Sequence, residues 1–340
     1  MKKWIFTGLV LIVITACFAS AKEKKQPKSQ SPKVKYPLLL TVDFNTVAPL
    51  KYKFICDRRT KLDLDPTGKY SKTKGPDTEK DEEYIDKLEM EITYKALKVD
   101  PYGYSTIEAT CNSAKVIHTA GHGERPDAVE SLAGRSFIFK ITPTGKIADD
   151  SNFVSLVKEL GGKAFAGQSQ RGKIKDPDMI MDFVAAQWRI WDSTASIKKP
   201  LKGVKKDSKW NSQLLAPMPF VSKTGRDVAY KLAGIVDINN VSCADITSTY
   251  SLSKLQLTDA PWPYGSSSFQ MRGTFGFLQN YKVLSIDGDG RQLFDIKKGL
   301  IKSDTQHYNA KVSASIFGLG SDTLEPNIKI DQTITMILVE

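Results

Sequence analysis

KLEMEITYKA, residues 87–96, alternates apolar and polar side chains with period two. Leu88, Met90, Ile92, Tyr94 and Ala96 fall on one face, and Glu89, Glu91, Thr93 and Lys95 on the other. Successive side chains of a strand point to opposite faces, so the stretch reads as a strand with one buried and one wet side. That is the pattern of antiparallel sheet; parallel strands covered on both sides read as continuous apolar runs. The alternation returns in Phe269, Met271, Phe275 and Phe277, in Tyr308, Ala310, Val312, Ala314 and Ile316, and in Ile328, Ile330, Ile334, Met336 and Leu338. The sequence therefore predicts an α+β fold, predominantly β, with long amphipathic strands in antiparallel sheet.

Two central helices interrupt this pattern. Over residues 151–161, Phe153, Leu156, Val157 and Leu160 recur at helical spacing, and Gly161 marks the expected end. Over 177–192, Asp176 stands at the N-cap and Pro177 at the first position, where its missing N–H costs nothing. Ile180, Val184, Trp188 and Trp191 then line one stripe. Trp188 and Trp191 are a candidate ligand face, weighed against ordinary packing on the sheet.

The turns echo one another. PYG at 101–103 and INN at 238–240 each sit between two strand patterns. Gly145 and Gly299 each precede a strand in hairpins of similar chemistry, FIFKITPTGKIAD and LFDIKKGLIKSD. This suggests two β-rich halves, residues 36–197 with the helices and 210–340. The polar run from Arg59 to Tyr84 reads as a long exposed loop, and Lys198 to Lys209 as a connector.

The formal charge of +11 is unevenly placed: Lys2 and Lys3 carry +2 and residues 22–35 a further +5, which leaves +4 on Tyr36 to Glu340. KEKKQPKSQSPKVK, residues 22–35, lacks the apolar content to fold and reads as a disordered tether. Lys198–Lys209 has no interleaved aromatics on which bases would stack, so no nucleic-acid partner is expected. Ahead of the tether, Lys2 and Lys3 and the uncharged run Trp4–Ala16 have the order of a secretory signal, residues 1–21, too short to span a bilayer. Two ends of that leader compete. Ala19-Ser20-Ala21 suits cleavage before Lys22, giving a soluble periplasmic or secreted chain. Ile14-Thr15-Ala16-Cys17 has the form of a lipobox, in which Cys17 is acylated and anchors the protein to a membrane. Of the remaining cysteines, Cys56 and Cys111 lie on strand-like stretches and are a candidate disulfide pair, with buried free thiols the alternative.

Catalytic motifs are missing. GQSQRG carries Arg171 where a nucleophile elbow needs Gly, and TPTGKI carries Ile147 where a P-loop needs Ser or Thr. His118 and His122 stand four apart, but Gly121 and Gly123 argue for a loop, so no metal site is assigned. DGDG at 287–290 lacks the further ligands of a calcium loop and reads as a β-turn. No cofactor is implied.

The lipobox-like leader, the Phe139-to-Ile147 hairpin with its Gly-Lys-Ile, the Val204–Trp210 segment and the Phe294–Gly299 hairpin resemble uncharacterised families of exported bacterial β-rich proteins and lipoproteins. What the resemblance implies is export and a β-rich body; it brings no catalytic residues. The expectation is a non-enzymatic envelope protein, lipid-anchored or periplasmic, binding a lipid or other hydrophobic ligand or an envelope protein. The alternative is a secreted hydrolase acting on carbohydrate through distant carboxylates.

Overall fold

A computed structural model describes residues 35–44, 48–66, 82–119, 127–166, 179, 182–183, 186–187, 190–216, 224–256, 278–316 and 325–339. The predicted alternation is realised along most of the long strands, with register shifts at irregularities in the β2–β3 and β9–β10 pairings. On β1 (Leu50–Asp63), Tyr52, Phe54 and Cys56 are buried while Asp57 and Arg59 are exposed. On β2 (Glu82–Val99), Leu88, Met90, Ile92 and Tyr94 are buried, as the opening stretch requires. The chain continues through β3 (Ser105–His118), β4 (Ser136–Ile141) and β5 (Ile147–Asp149). After the helical region come β6 (Lys209–Leu215), β7 (Thr224–Ile238), β8 (Val241–Gln256), β9 (Leu278–Asp295), β10 (Leu300–Ile316) and β11 (Asn327–Val339). The fold is α+β and predominantly β.

Among the described residues these eleven strands form one antiparallel sheet in the order β5-β4-β3-β2-β1-β11-β10-β9-β8-β7-β6. Each neighbour is also a neighbour in sequence except at the centre, where β1 pairs with β11 over Lys51↔Val339 to Asp63↔Asn327. The turns read from the sequence close the hairpins: Asn239 and Asn240 both have positive φ between β7 and β8, and Gly103, Gly145 and Gly299 do so after β2, β4 and β9.

Strands from both ends of the sheet touch one short segment. Phe183 lies 6.3 Å, ring centre to ring centre, from Phe137 of β4, and Trp210 of β6 donates from Nε1 to the Ser193 carbonyl at 2.8 Å. In a flat sheet β4 and β6 would be about 40 Å apart at ~4.8 Å per strand. The sheet therefore curls around the segment that carries Phe183 and Ser193, with its apolar face inward. Helix α1 (Ser151–Ala166) adds Phe153 to the same core. It runs past Gly161, because a glycine inside a helix costs only about 1 kcal/mol and does not stop it.

Over the second predicted helix, helical bonds run from Phe183 N to the Met179 carbonyl and from Ile190 N to that of Ala186, and α2 (Asp192–Ala195) follows. Asp176, Pro177 and Trp188 lie outside the described residues, as do the leader and the tether up to residue 34, His122 and Phe269–Phe277. No helix among the described residues is long and apolar enough to cross a membrane.

Residues 38–44 thread across the hairpin turns. Val42 N donates to the Pro143 carbonyl and Asp43 N to that of Gly299, each at 2.9 Å, while Leu38 bridges Val204. Two readings are corrected here. The expected loop from Arg59 to Tyr84 is strand at both ends, since β1 continues to Asp63 and β2 begins at Glu82. DGDG is no turn: Asp287–Gly290 lie inside β9, where Gly288 pairs with Tyr250 on one side and Tyr308 on the other.

Candidate functional site

A row of polar side chains crosses the inner face at one level. Arg58 of β1 stands opposite Asp86 of β2 and Gln332 of β11. Asp86 in turn stands opposite His118 of β3, and Gln332 opposite Tyr308 of β10. Arg58 is 1 % exposed. Its Nε and Nη2 donate to Asp86 Oδ2 at 3.1 and 3.0 Å, and its Nη1 donates to Asp182 Oδ2 at 2.7 Å. Gln332 Nε2 donates to the other Asp182 oxygen at 2.8 Å, and His118 Nδ1 lies 2.6 Å from Asp86 Oδ1. A buried guanidinium costs several kcal/mol in desolvation, and here two carboxylates offset that. Burial pushes the Asp86 carboxyl up, but Arg58 and His118 outweigh it and hold the group below its ordinary value. For Asp182 burial wins, and the carboxyl lies above its ordinary value despite Arg58 and Gln332.

Further along the same face the balance of charge changes. Arg226 of β7 is 1 % exposed, and its guanidinium lies 4.8 Å from the ring centre of Tyr308 and 5.3 Å from that of Tyr250. Arg226 Nη1 donates to the Tyr308 hydroxyl, which donates to Gln306 Oε1, and Gln306 Nε2 donates to Asp304 Oδ2 at 2.6 Å. Among the described residues Arg226 is in ion-pair contact with no carboxylate, and its Nε has no hydrogen-bond partner. Two aromatic faces stabilise a cation by about 1–2 kcal/mol each when desolvated, less than its burial costs.

Arg226 borders a second apolar cluster, separated from the main core by the polar row. Opposite Arg226 stands Leu252, and one level along the sheet Ile286, Ala310, Ile330 and Thr60 face one another on β9, β10, β11 and β1. Leu62, Val312 and Ile328 belong to the same buried cluster. Thr60 Oγ1, buried among them, has no hydrogen-bond partner among the described residues. Two unpartnered polar atoms thus face an apolar patch, the arrangement an amphipathic ligand satisfies.

The residues singled out in the sequence lie elsewhere. Trp191 is 1 % exposed and packs edge-on against Phe44 at 5.1 Å within the main apolar core. Cys17 and Trp188 lie outside the described residues. Cys56 and Cys111 do not pair: both are free and buried, on β1 and β3, with β2 between them. Strands two places apart are ~9.6 Å from one another, beyond the reach of a disulfide. His118 serves Asp86, and among the described residues no group of three or more His, Cys, Asp or Glu is placed to hold a metal ion.

Sequence reading missed Arg58, Asp86, Gln332 and Arg226, although a signal for them existed. Each falls in phase with the apolar residues of its own strand: Arg58 with Tyr52, Phe54 and Cys56, and Arg226 with Val228, Tyr230 and Leu232. A charge on the inward phase marks a buried polar site. Comparison with known proteins finds no family model and no curated protein that matches this chain.

Proposed function

We propose that this chain is an exported, non-enzymatic binding module of a bacterial cell envelope, lipid-anchored through Cys17 or soluble after cleavage at Ala21. Its ligand is a lipid or other amphipathic molecule with an anionic head. The observation that supports this reading is Arg226, a buried cation beside an apolar cluster, with no carboxylate in contact among the described residues. An anionic head placed at Arg226 Nε supplies the missing acceptor, and a hydrocarbon tail lies on Leu252, Ile286, Ala310 and Ile330. Each buried methylene then contributes ~0.8 kcal/mol. The carboxylates Asp86 and Asp182 are both engaged by Arg58, so the hydrolase alternative gains no support from them.

The test is displacement of a hydrophobic-site dye from the folded protein. The dye binds, and a long-chain fatty acid displaces it while the corresponding fatty alcohol does so at least tenfold less well. A folded protein that takes up no dye would refute the reading.

A further inference from the structure

The outer face of the sheet carries a second feature, independent of the inner one. Most of its cations have acidic partners across the strands: Lys51 Nζ is 2.5 Å from Glu91, Lys53 Nζ 3.3 Å from Glu89, and Arg291 Nε 2.8 Å from Asp245. The centre departs from this. Lys61 of β1, Lys329 of β11 and Lys311 of β10 stand directly opposite one another on three adjacent strands. Lys311 and Lys329 are both exposed and make no ion pair among the described residues. Lys61 reaches Glu83 only at 3.8 Å, and that carboxylate is also held by Arg59 at 3.2 Å.

Like charges placed directly opposite on an antiparallel pair destabilise it, and here the juxtaposition occurs twice in succession. Acidic groups are close but are not used. Asp331 lies one level along β11 and Asp287 on the neighbouring β9, both opposite Asn309 of β10, yet neither comes within ion-pair distance of the lysines, and Asp331 instead faces His307 at 3.2 Å. The lysine row and Arg59 line a groove of about 270 Å³ together with Ser285, Asn309, Asp287 and Asp331, so four cations meet two carboxylates there.

We infer that this groove is a binding site for a phosphate-class anion. Three ammonium groups on strands spanning ~10 Å can converge on one tetrahedral oxyanion, whose several oxygens accept from all of them; a carboxylate has two oxygens to offer. Asp287 and Asp331 in the same lining offset part of the positive charge and repel an extended polyanion, which restricts the occupant to a single phosphate or to the phosphate of a lipid headgroup. Either source presents the same chemistry.

Three full-length proteins decide the matter: the wild type, the double variant Lys311→Gln/Lys329→Gln, and the control Lys51→Gln/Lys53→Gln, which removes paired lysines of the same sheet. Each is titrated with inorganic phosphate by calorimetry and floated with phosphatidylglycerol vesicles. The wild type binds at least one probe, the double variant binds it at least tenfold more weakly, and the control matches the wild type. Binding of phosphate identifies the free ion as the occupant; binding of vesicles alone identifies the headgroup. Because the double variant removes repulsion, it melts no lower than the wild type, so folded proteins are compared. The Lys-rich residues 22–35 are common to all three, and a vesicle affinity shared equally by all three would overturn the assignment, as would binding of neither probe.

Discussion

Gly290 on β9 lies beneath the phenol of Tyr250 on β8, and a methyl group at position 290 would occupy the place of the Tyr250 hydroxyl. The absence of a side chain there, and at Gly288, lets Tyr250 lean across β9 and stack on Tyr308 of β10, ring centres 4.7 Å apart. Gly290→Ala therefore costs about 1–3 kcal/mol through overpacking, read as a lower urea midpoint. Asp289→Asn, on the exposed face of the same stretch, stays within about 0.5 kcal/mol of the wild type. Equal effects of the two substitutions would contradict the packing role assigned to Gly290.

The Arg58 network makes stability depend on acid in a way that one substitution isolates. Asp86 has a folded-state pKa below that of an ordinary aspartate. Its contribution is present above the unfolded value and is lost as pH falls through the folded one. Asp182 is raised, so its contribution runs the other way: present below 3.8 and lost as pH rises through its folded value. Asp86→Asn abolishes the first effect. Urea titrations at about pH 4 and pH 2 should show a smaller loss of stability on acidification in the variant than in the wild type; parallel losses would remove Asp86 from the account.

Three thiols of the body are predicted to be inert until the protein unfolds. Burial raises the pKa of Cys56 well above its ordinary value, that of Cys111 to about 11, and that of Cys243 as well. A thiolate is the reactive form, so a thiol reagent at neutral pH should label none of the three in the native protein and all three in denaturant. Two fewer labels in denaturant would reveal a bridge between Cys56 and Cys111.

Arg226→Met separates stability from binding. Replacing a buried charge by an apolar side chain of similar length is commonly neutral or stabilising. The ligand-free variant should melt at or above the wild-type temperature, yet lose discrimination between fatty acid and fatty alcohol in the dye assay. A large loss of stability would instead make Arg226 a structural element of the Tyr250–Tyr308 stack.

How much of this was legible in the sequence follows from how local each feature is. The strands were, because period-two alternation depends only on a residue and its neighbours two places away, as in Leu88, Met90 and Ile92. So were the turns at Gly145, Gly299 and Asn239-Asn240, where backbone conformation alone selects the residue. DGDG was misread because its glycines answer to Tyr250 and Tyr308, residues on other strands. Helix α1 overran Gly161 because packing of Phe153 and Leu160 into the core outweighs one glycine. The cysteine pairing failed on strand order, which alternation does not encode. The inner polar row depends on register across strands brought together only by folding, although the phase of Arg58 and Arg226 betrayed that they point inward.

Native mass spectrometry of the full-length protein, extracted gently from its own membrane, addresses the proposed function most directly. The account predicts a chain beginning at an acylated Cys17, or at Lys22, that carries a non-covalent anionic amphiphile, and predicts that Arg226→Met loses this adduct while keeping the same chain start. A polypeptide of unprocessed mass, or a processed one whose adduct is indifferent to Arg226→Met, would contradict it.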